Sequence, residues 1–216
     1  LLLNKKGFLI AYKFKSFFGS RSRIDKSIPR FQLKERNVKN CKLLLNRDEL
    51  ISQIPKNSII AELGVDRGDF SQKLIDVINP QLLCLIDMWG TNRYGNDKAD
   101  LINDKFKSQI KNKSIKVFRS DSVTAAENFQ SSYFDFIYID TDHSYETTIK
   151  ELRAWKTKMK EDGIIAGHDY MMGNWLKTLR YGVIEAVHQF CIEDNWQLIY
   201  LTADQTENLS FAIKRI

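Results

Sequence analysis

Cysteine is scarce in this 216-residue chain: Cys41, Cys84 and Cys191 are far apart and odd in number. That pattern excludes a disulfide framework and shows no zinc-ligand spacing, which points to a reducing cytoplasm. No apolar run is long enough to span a bilayer. Repeats and low-complexity segments are absent too, and the length suits one domain with a sizeable core. The chain begins at Leu1, and Leu1-Leu2-Leu3 as it stands is too short for a signal-peptide core. Histidine is as rare as cysteine, with His143, His168 and His188.

Charge is present but unevenly spread. Residues 1–47 carry thirteen Lys/Arg and two acids, while the remainder carries 20 Lys/Arg and 25 Asp/Glu. The basic excess therefore sits in an N-terminal arm and linker over residues 1–45, and residues 46–216 form the mildly acidic domain. Such an arm suits an anionic membrane surface, nucleic acid or an acidic partner, or it is a solvated extension. The aromatic and aliphatic residues from Phe8 to Phe18, interleaved with Lys13 and Lys15, match a short amphipathic helix. Such a helix lies on a membrane, covers the domain or makes a dimer contact. The sheet is expected to be complete without residues 1–40.

The most informative stretch is residues 58–68. An apolar run ends in Glu62, and a turn punctuated by Gly64 and Gly68 opens a helical pattern. This is a strand–loop–helix arrangement whose glycines permit close approach of a ligand. The Gly-x-Gly-x-x-Gly order that cradles a pyrophosphate is missing. Glu62 and Asp66 line the loop instead, which suits a cationic ligand. A second apolar run ends in Asp87, 23 positions after Gly64. An acid at that strand tip is placed to accept hydrogen bonds from ribose hydroxyls, or merely to cap the strand.

Beyond Pro55, apolar runs alternate with helical patterns. Strands are expected at 58–63, 82–87, 115–119, 134–140, 163–168, 196–202 and 209–214. Helices are expected at 42–54, 68–78, 97–111, 122–129, 145–160 and 180–193. The alternation predicts an α/β fold, a doubly wound and mostly parallel seven-stranded sheet. The short loop between the last two strands permits only a C-terminal antiparallel hairpin.

In such sheets ligands sit beyond the carboxyl ends of the strands. Those ends carry Glu62 and Gly64, Asp87, Asp121 and Ser122, Asp140 to His143, and His168 to Tyr170. Asp140, Asp169 and His168 form a candidate site for Mg²⁺ or another divalent cation. Asp142 and Ser144 read equally well as helix caps. His143, at a strand–helix junction, is a candidate general base as well as a structural histidine. Trp89, two positions after Asp87, is placed to pack on a nucleobase. Trp155, Trp175 and Trp196 read as core or lid residues.

Residues 62–68, Asp87, Asp121 and the terminal hairpin resemble class I S-adenosylmethionine-dependent methyltransferases, whose fold is Rossmann-like. Residues 134–146, 163–170 and 182–187 are similar to a small-molecule O-methyltransferase branch of that superfamily, of the macrocin and catechol type. The resemblance implies that Glu62, Gly64, Asp66 and Gly68 hold the methionine part of S-adenosylmethionine. It places Asp87 on the ribose and Asp121 and Ser122 at the adenine, with Asp140 beside the cofactor. Asp140 matches a metal-binding Asp of the catechol type, and His143 stands where that type has a catalytic Lys. Asp169 matches a further metal ligand, and His168 stands where the macrocin type has Asp. The implied activity is methyl transfer to a hydroxyl of a small molecule, a sugar or a natural product, without a nucleic-acid partner. A related enzyme of the cephalosporin-hydroxylase-like type and a non-catalytic binding module are the alternatives. The segments 88–97 and 171–181 are expected to shape the acceptor pocket, and neither carries a readable code for the acceptor or for a homo-oligomer.

Overall fold

The computed structural model describes residues 25–90, 97–174, 179–204 and 206–216. The aromatic stretch of the arm, Trp175, and parts of both pocket-shaping segments lie outside the described residues.

Strands and helices alternate because the apolar pattern alternates. The strands around the glycine motif each carry an apolar segment that is buried in the sheet. They are β2 (Ile59–Leu63), β3 (Leu82–Asp87), β4 (Ile115–Arg119), β5 (Phe134–Ile139) and β6 (Met159–Gly167). The last two long strands are β9 (Trp196–Thr202) and β10 (Phe211–Arg215). Between them in sequence lie α2 (Asp69–Ile78), α3 (Asp97–Lys105), α4 (Lys107–Lys111), α5 (Ser122–Ala125), α6 (Tyr145–Trp155) and α7 (Val183–Glu193).

One sheet runs in the order β1-β9-β10-β6-β5-β2-β3-β4, with β1 spanning Lys42–Leu44. The pairs β2·β3, β3·β4, β2·β5 and β5·β6 are parallel, and β10 is antiparallel to both β6 and β9. The expected doubly wound sheet with a terminal hairpin is therefore present. The chain switches direction between β2 and β5, so the carboxyl ends of β2, β3, β5 and β6 open onto one crevice. Two buried clusters cover the sheet. One holds Phe134, Trp155, Phe190 and Trp196, and the other holds Leu50, Leu74, Leu83 and Phe106.

Several element boundaries differ from the sequence expectation. An eighth strand, β1 (Lys42–Leu44), pairs in parallel with β9. The helix expected across 42–54 is shorter, α1 (Arg47–Ser52), capped by the Asn46 side chain. Leu43 and Leu44 read as helix because the apolar run joins a helical pattern. The edge of β9 offers them a ladder instead. The helix expected at 97–111 breaks into α3 and α4 at Phe106, which is buried. Residues 159–160, expected at the end of α6, begin β6. A small antiparallel pair, β7 (Gly173–Asn174) and β8 (Leu179–Arg180), was not expected.

Residues 25–45, read as arm and linker, lie against the domain. Asp25 pairs with Arg180, and the Phe31 carbonyl bonds His188. Asn37 is fully buried, donating to the carbonyls of Cys191 and Trp196 at 3.1 and 2.8 Å. Its Oδ1 accepts from the Lys34 amide. Asn37→Ala removes these bonds and leaves two carbonyls short of a donor. We expect denaturant unfolding to show a loss of about 2–4 kcal/mol for this variant. Unchanged stability would mean that the segment is held elsewhere.

Candidate functional site

The crevice at the strand ends is a cavity of about 950 Å³. Its floor is the loop after β2. Gly64 has φ +87°, and a Cβ there would lie 2.0 Å from the Asp140 carbonyl oxygen. Only glycine lets the loop press against the end of β5 in this way. Gly68, at φ +71°, precedes α2, and a Cβ there would strike Ile102 and Phe106.

Asp87 braces the same loop. Its Oδ2 accepts from the amides of Val65 and Asp66 at 2.9 and 3.0 Å, and its Oδ1 accepts from Trp89 N at 3.0 Å. A carboxylate has about four lone-pair directions, so room for a ligand hydroxyl remains. Asp66 faces solvent at the rim and pairs with Lys98. Trp89 is placed differently from the expectation. Its ring is buried in the core, where Nε1 donates to the Asp66 carbonyl, and it does not line the cavity. Half-exposed Met88 lines it instead.

Glu62 is fully buried and accepts a bond from Ser71. Burial, aided by the charges of Asp140 and Asp87, pushes its carboxyl up to about 8 against the opposing Ser71 bond and Arg47 charge. On the adjoining wall, Asp121 caps α5 through the Val123 and Thr124 amides. Its bonds to Thr124, above all, hold it below the usual carboxylate value. The Ser122 hydroxyl donates to the buried Glu151, which also accepts from Thr141 at 3.1 Å. Burial raises Glu151 to about 7.

Beyond β5 the acids and histidines converge. One ligand atom from each of Asp140, His143 and Asp169 lies within 4.8 Å of the others. His143 Nε2 is 3.0 Å from Asp169 Oδ2 and 3.9 Å from Asp140 Oδ1. His168 Nδ1 stands 3.6 Å from Asp169 and 3.8 Å from Asp140, and its buried Nε2 has no partner. Burial lowers the His143 pKa, but the Asp169 bond and the charges of Asp169, Asp140 and Asp142 outweigh it, leaving the group raised. Asp169 goes the other way. Its burial is outweighed by His143, His168 and Asn208, and it is held low. Burial and the Asp169 charge raise Asp140 despite His168, His143 and Arg47. Asp142 serves the turn, accepting from the Ser144 amide and the Thr147 hydroxyl. Ser144 is the N-cap of α6.

Three contributors were not picked out in the sequence. Arg47 reaches Asp140 from α1. Asn208 donates to Asp169 from the β9–β10 loop, and Glu151 sits under Ser122. None lies near a motif. Each meets the site only through the tertiary fold.

Residues 61–170 match a family model described as a methyltransferase domain. This match spans half of the chain, and the chain belongs to that family. The residues matched include the glycine loop, Asp87, Asp140, His143 and Asp169 described above. Solved structures agree in fold. A SAM-dependent methyltransferase from Aquifex aeolicus is 12% identical, with 89% of this chain and 97% of that chain covered and a TM-score of 0.58. The trans-methyltransferase CalH in complex with SAH is 10% identical, with 78% and 55% covered and a TM-score of 0.57. The pyocyanin biosynthetic protein PhzM is 11% identical, with 74% and 51% covered and a TM-score of 0.56. This chain thus spans about half the length of PhzM. A comparison with curated proteins finds no match to this sequence. Among the described residues no helix is long and apolar enough to cross a membrane.

Glu62 yields a prediction. With its carboxyl near 8, the acid is mostly protonated at neutral pH, and a cationic ligand favours its ionised form. Cofactor binding should therefore release a proton, and affinity should climb as pH rises toward 8. Calorimetry in buffers of differing ionisation enthalpy measures both effects, and Glu62→Gln should flatten them. A pH-independent affinity with no proton release would contradict this reading.

Proposed function

We propose that the enzyme methylates a hydroxyl of a small molecule, a sugar or natural product, with His143 as the general base. The observation that carries this reading is the 3.0 Å pairing of His143 Nε2 with Asp169 Oδ2 at the mouth of the cofactor crevice. S-adenosylmethionine suits the crevice on two grounds: the glycine cradle at Gly64 and the acids that face a doubly cationic ligand. Glu62, Gly64, Asp66 and Gly68 would hold its methionine end, Asp87 the ribose, and Asp121 and Ser122 the adenine. When bound, the cofactor supplies an electrophilic methyl on a sulfonium.

The chain's own residues would do the rest. Asp169 orients the imidazole, as a carboxylate does in other acid–histidine pairs, and stabilises its protonated form. Asn208 holds Asp169 in that pose. Gly182 N donates to the His143 carbonyl at 2.8 Å, and the Tyr181 ring packs 5.2 Å from the imidazole. These contacts limit the motion of the base, so that positioning contributes to the rate.

A second reading rests on the cluster of Asp140, His143 and Asp169. Two carboxylates and an imidazole suit a divalent cation such as Mg²⁺ or a softer metal, with His168 beside them. A cation there would acidify the acceptor hydroxyl, and His143 would be its ligand instead of the base.

The two readings separate by experiment. Product mass from hydroxylated metabolites should rise by one methyl group; gain of one oxygen would overturn the assignment to O-methylation. With His143 as base, His143→Ala should lower kcat by roughly 10²–10⁴ with cofactor affinity nearly intact. The acidic limb of the pH–rate profile should lie above the ordinary histidine value of 6.5, because a base must be unprotonated to act. His143→Lys should restore part of the activity with the limb moved further up. Loss of activity on chelation, restored by added metal and absent in Asp140→Asn, would favour the cation. Full activity in both His143→Ala and chelator-treated enzyme would overturn both.

A further inference from the structure

The chain from Asp25 to Leu45 has two unlike sides. Ile28, Asn37 and Leu44 are buried against the domain, and Leu33 and Cys41 pack on its core. The side turned to solvent carries Lys26, Arg30, Lys34, Arg36, Lys39 and Lys42. Little neutralises them. The strip has two acids, Asp25 and Glu35. Asp25 is taken up by Arg180 and Arg30. The acids at the end of α7 are taken up too, Glu193 by Arg153 and Asp194 by Lys156. Of the bases on the strip, only Arg30 has an ion pair among the described residues.

Apolar side chains stand among these charges. Leu43 and Leu45 are 72% and 76% exposed, and Val38 is exposed as well. Leu44, between the two leucines, turns inward and is buried. This alternation puts Leu43 and Leu45 on the same outward side. β1 is the edge strand of the sheet, so the strip lies along the outside of the molecule.

We propose that this strip docks the enzyme on an anionic lipid bilayer. The bases meet the headgroup phosphates, and Leu43 and Leu45 enter the boundary below them. The partner must carry negative charge, and it must also accept aliphatic side chains. A second copy of the chain fails the first requirement, because a two-fold contact would set these bases against themselves. Nucleic acid fits the second poorly. It binds aromatic side chains that stack on bases, whereas the exposed apolar residues here are a valine and two leucines. A bilayer with anionic headgroups meets both.

The test is flotation of the full chain with vesicles of phosphatidylcholine, alone or mixed with phosphatidylglycerol. Binding should need phosphatidylglycerol and should fall steeply as salt is raised. The triple variant Arg36→Glu, Lys39→Glu, Lys42→Glu should weaken it by about 100-fold or more. The corresponding Gln variant should fall between. The pair Leu43→Ser, Leu45→Ser should weaken it by about 10-fold at unchanged charge. All these positions are exposed, and a cooperative melt confirms that each variant is folded. The salt and lipid series needs no variant. No binding to the mixed vesicles at low salt would overturn the proposal, as would equal binding to phosphatidylcholine alone. Residues 1–24 add further bases and no acid, so undiminished binding in the triple variant would assign the contact to them and overturn the role of this strip. A silent leucine pair, with single-stranded DNA bound as tightly as the vesicles, would make the face a nucleic-acid site and overturn it too.

Discussion

Everything at this site depends on one missing side chain. Because Gly64 has no Cβ, the loop after β2 can lie against the carbonyl of Asp140 at the end of β5. That approach brings Glu62, Asp87 and Asp140 to one crevice from three different strands. The rest of the rim is built from backbone that few residues tolerate. Asp66, His143 and Asp169 have positive φ, at 50°, 62° and 57°, as does Trp89 beneath the loop, at 29°. Such conformations cost of order 1–3 kcal/mol each and persist where surrounding structure holds them. Here the Asp87 carboxylate, the Gly182 amide and the Asn208 side chain do so.

The electrostatics follow from the same crowding. Packing acids at the strand ends in a half-dry cavity raises Glu62, Asp140 and Glu151 above their ordinary values. Burying such charges is costly unless each has a partner. Asp169 has partners in His143 and Asn208 and is held low. For Glu62 burial outweighs the Ser71 bond and the Arg47 charge, and the acid stays largely neutral. The crevice is therefore short of positive charge, and a sulfonium cofactor is one source of it. The same shortage makes the buried Arg47 conspicuous.

Much of this was legible in the sequence. Apolar runs ending in acids located β2, β3 and β5 to within a residue or two, and the short loop before β10 implied the antiparallel pairing. The glycine spacing and Asp87 located the crevice. What stayed hidden was whatever long-range packing decides. Trp89 follows an acid at a strand tip, yet its large apolar ring is better buried under the loop than held against a ligand. Leu43 and Leu44 carry no signal that separates a short edge strand from a helix start. Arg47 was counted only in the charge of the arm, because its tie to Asp140 spans most of the domain in sequence. Asn208 and Glu207 sit in a polar loop whose composition says nothing of the carboxylate and guanidinium they meet.

The central claim is that an acidic glycine loop at this switch point selects a nucleoside with a cationic amino-acid end over a pyrophosphate. A calorimetric titration of the full chain with S-adenosylhomocysteine and, separately, with NAD tests it most directly. The account predicts one saturable site for S-adenosylhomocysteine and no heat of binding for NAD. Binding of NAD at that site, with S-adenosylhomocysteine unable to displace it, would contradict the account.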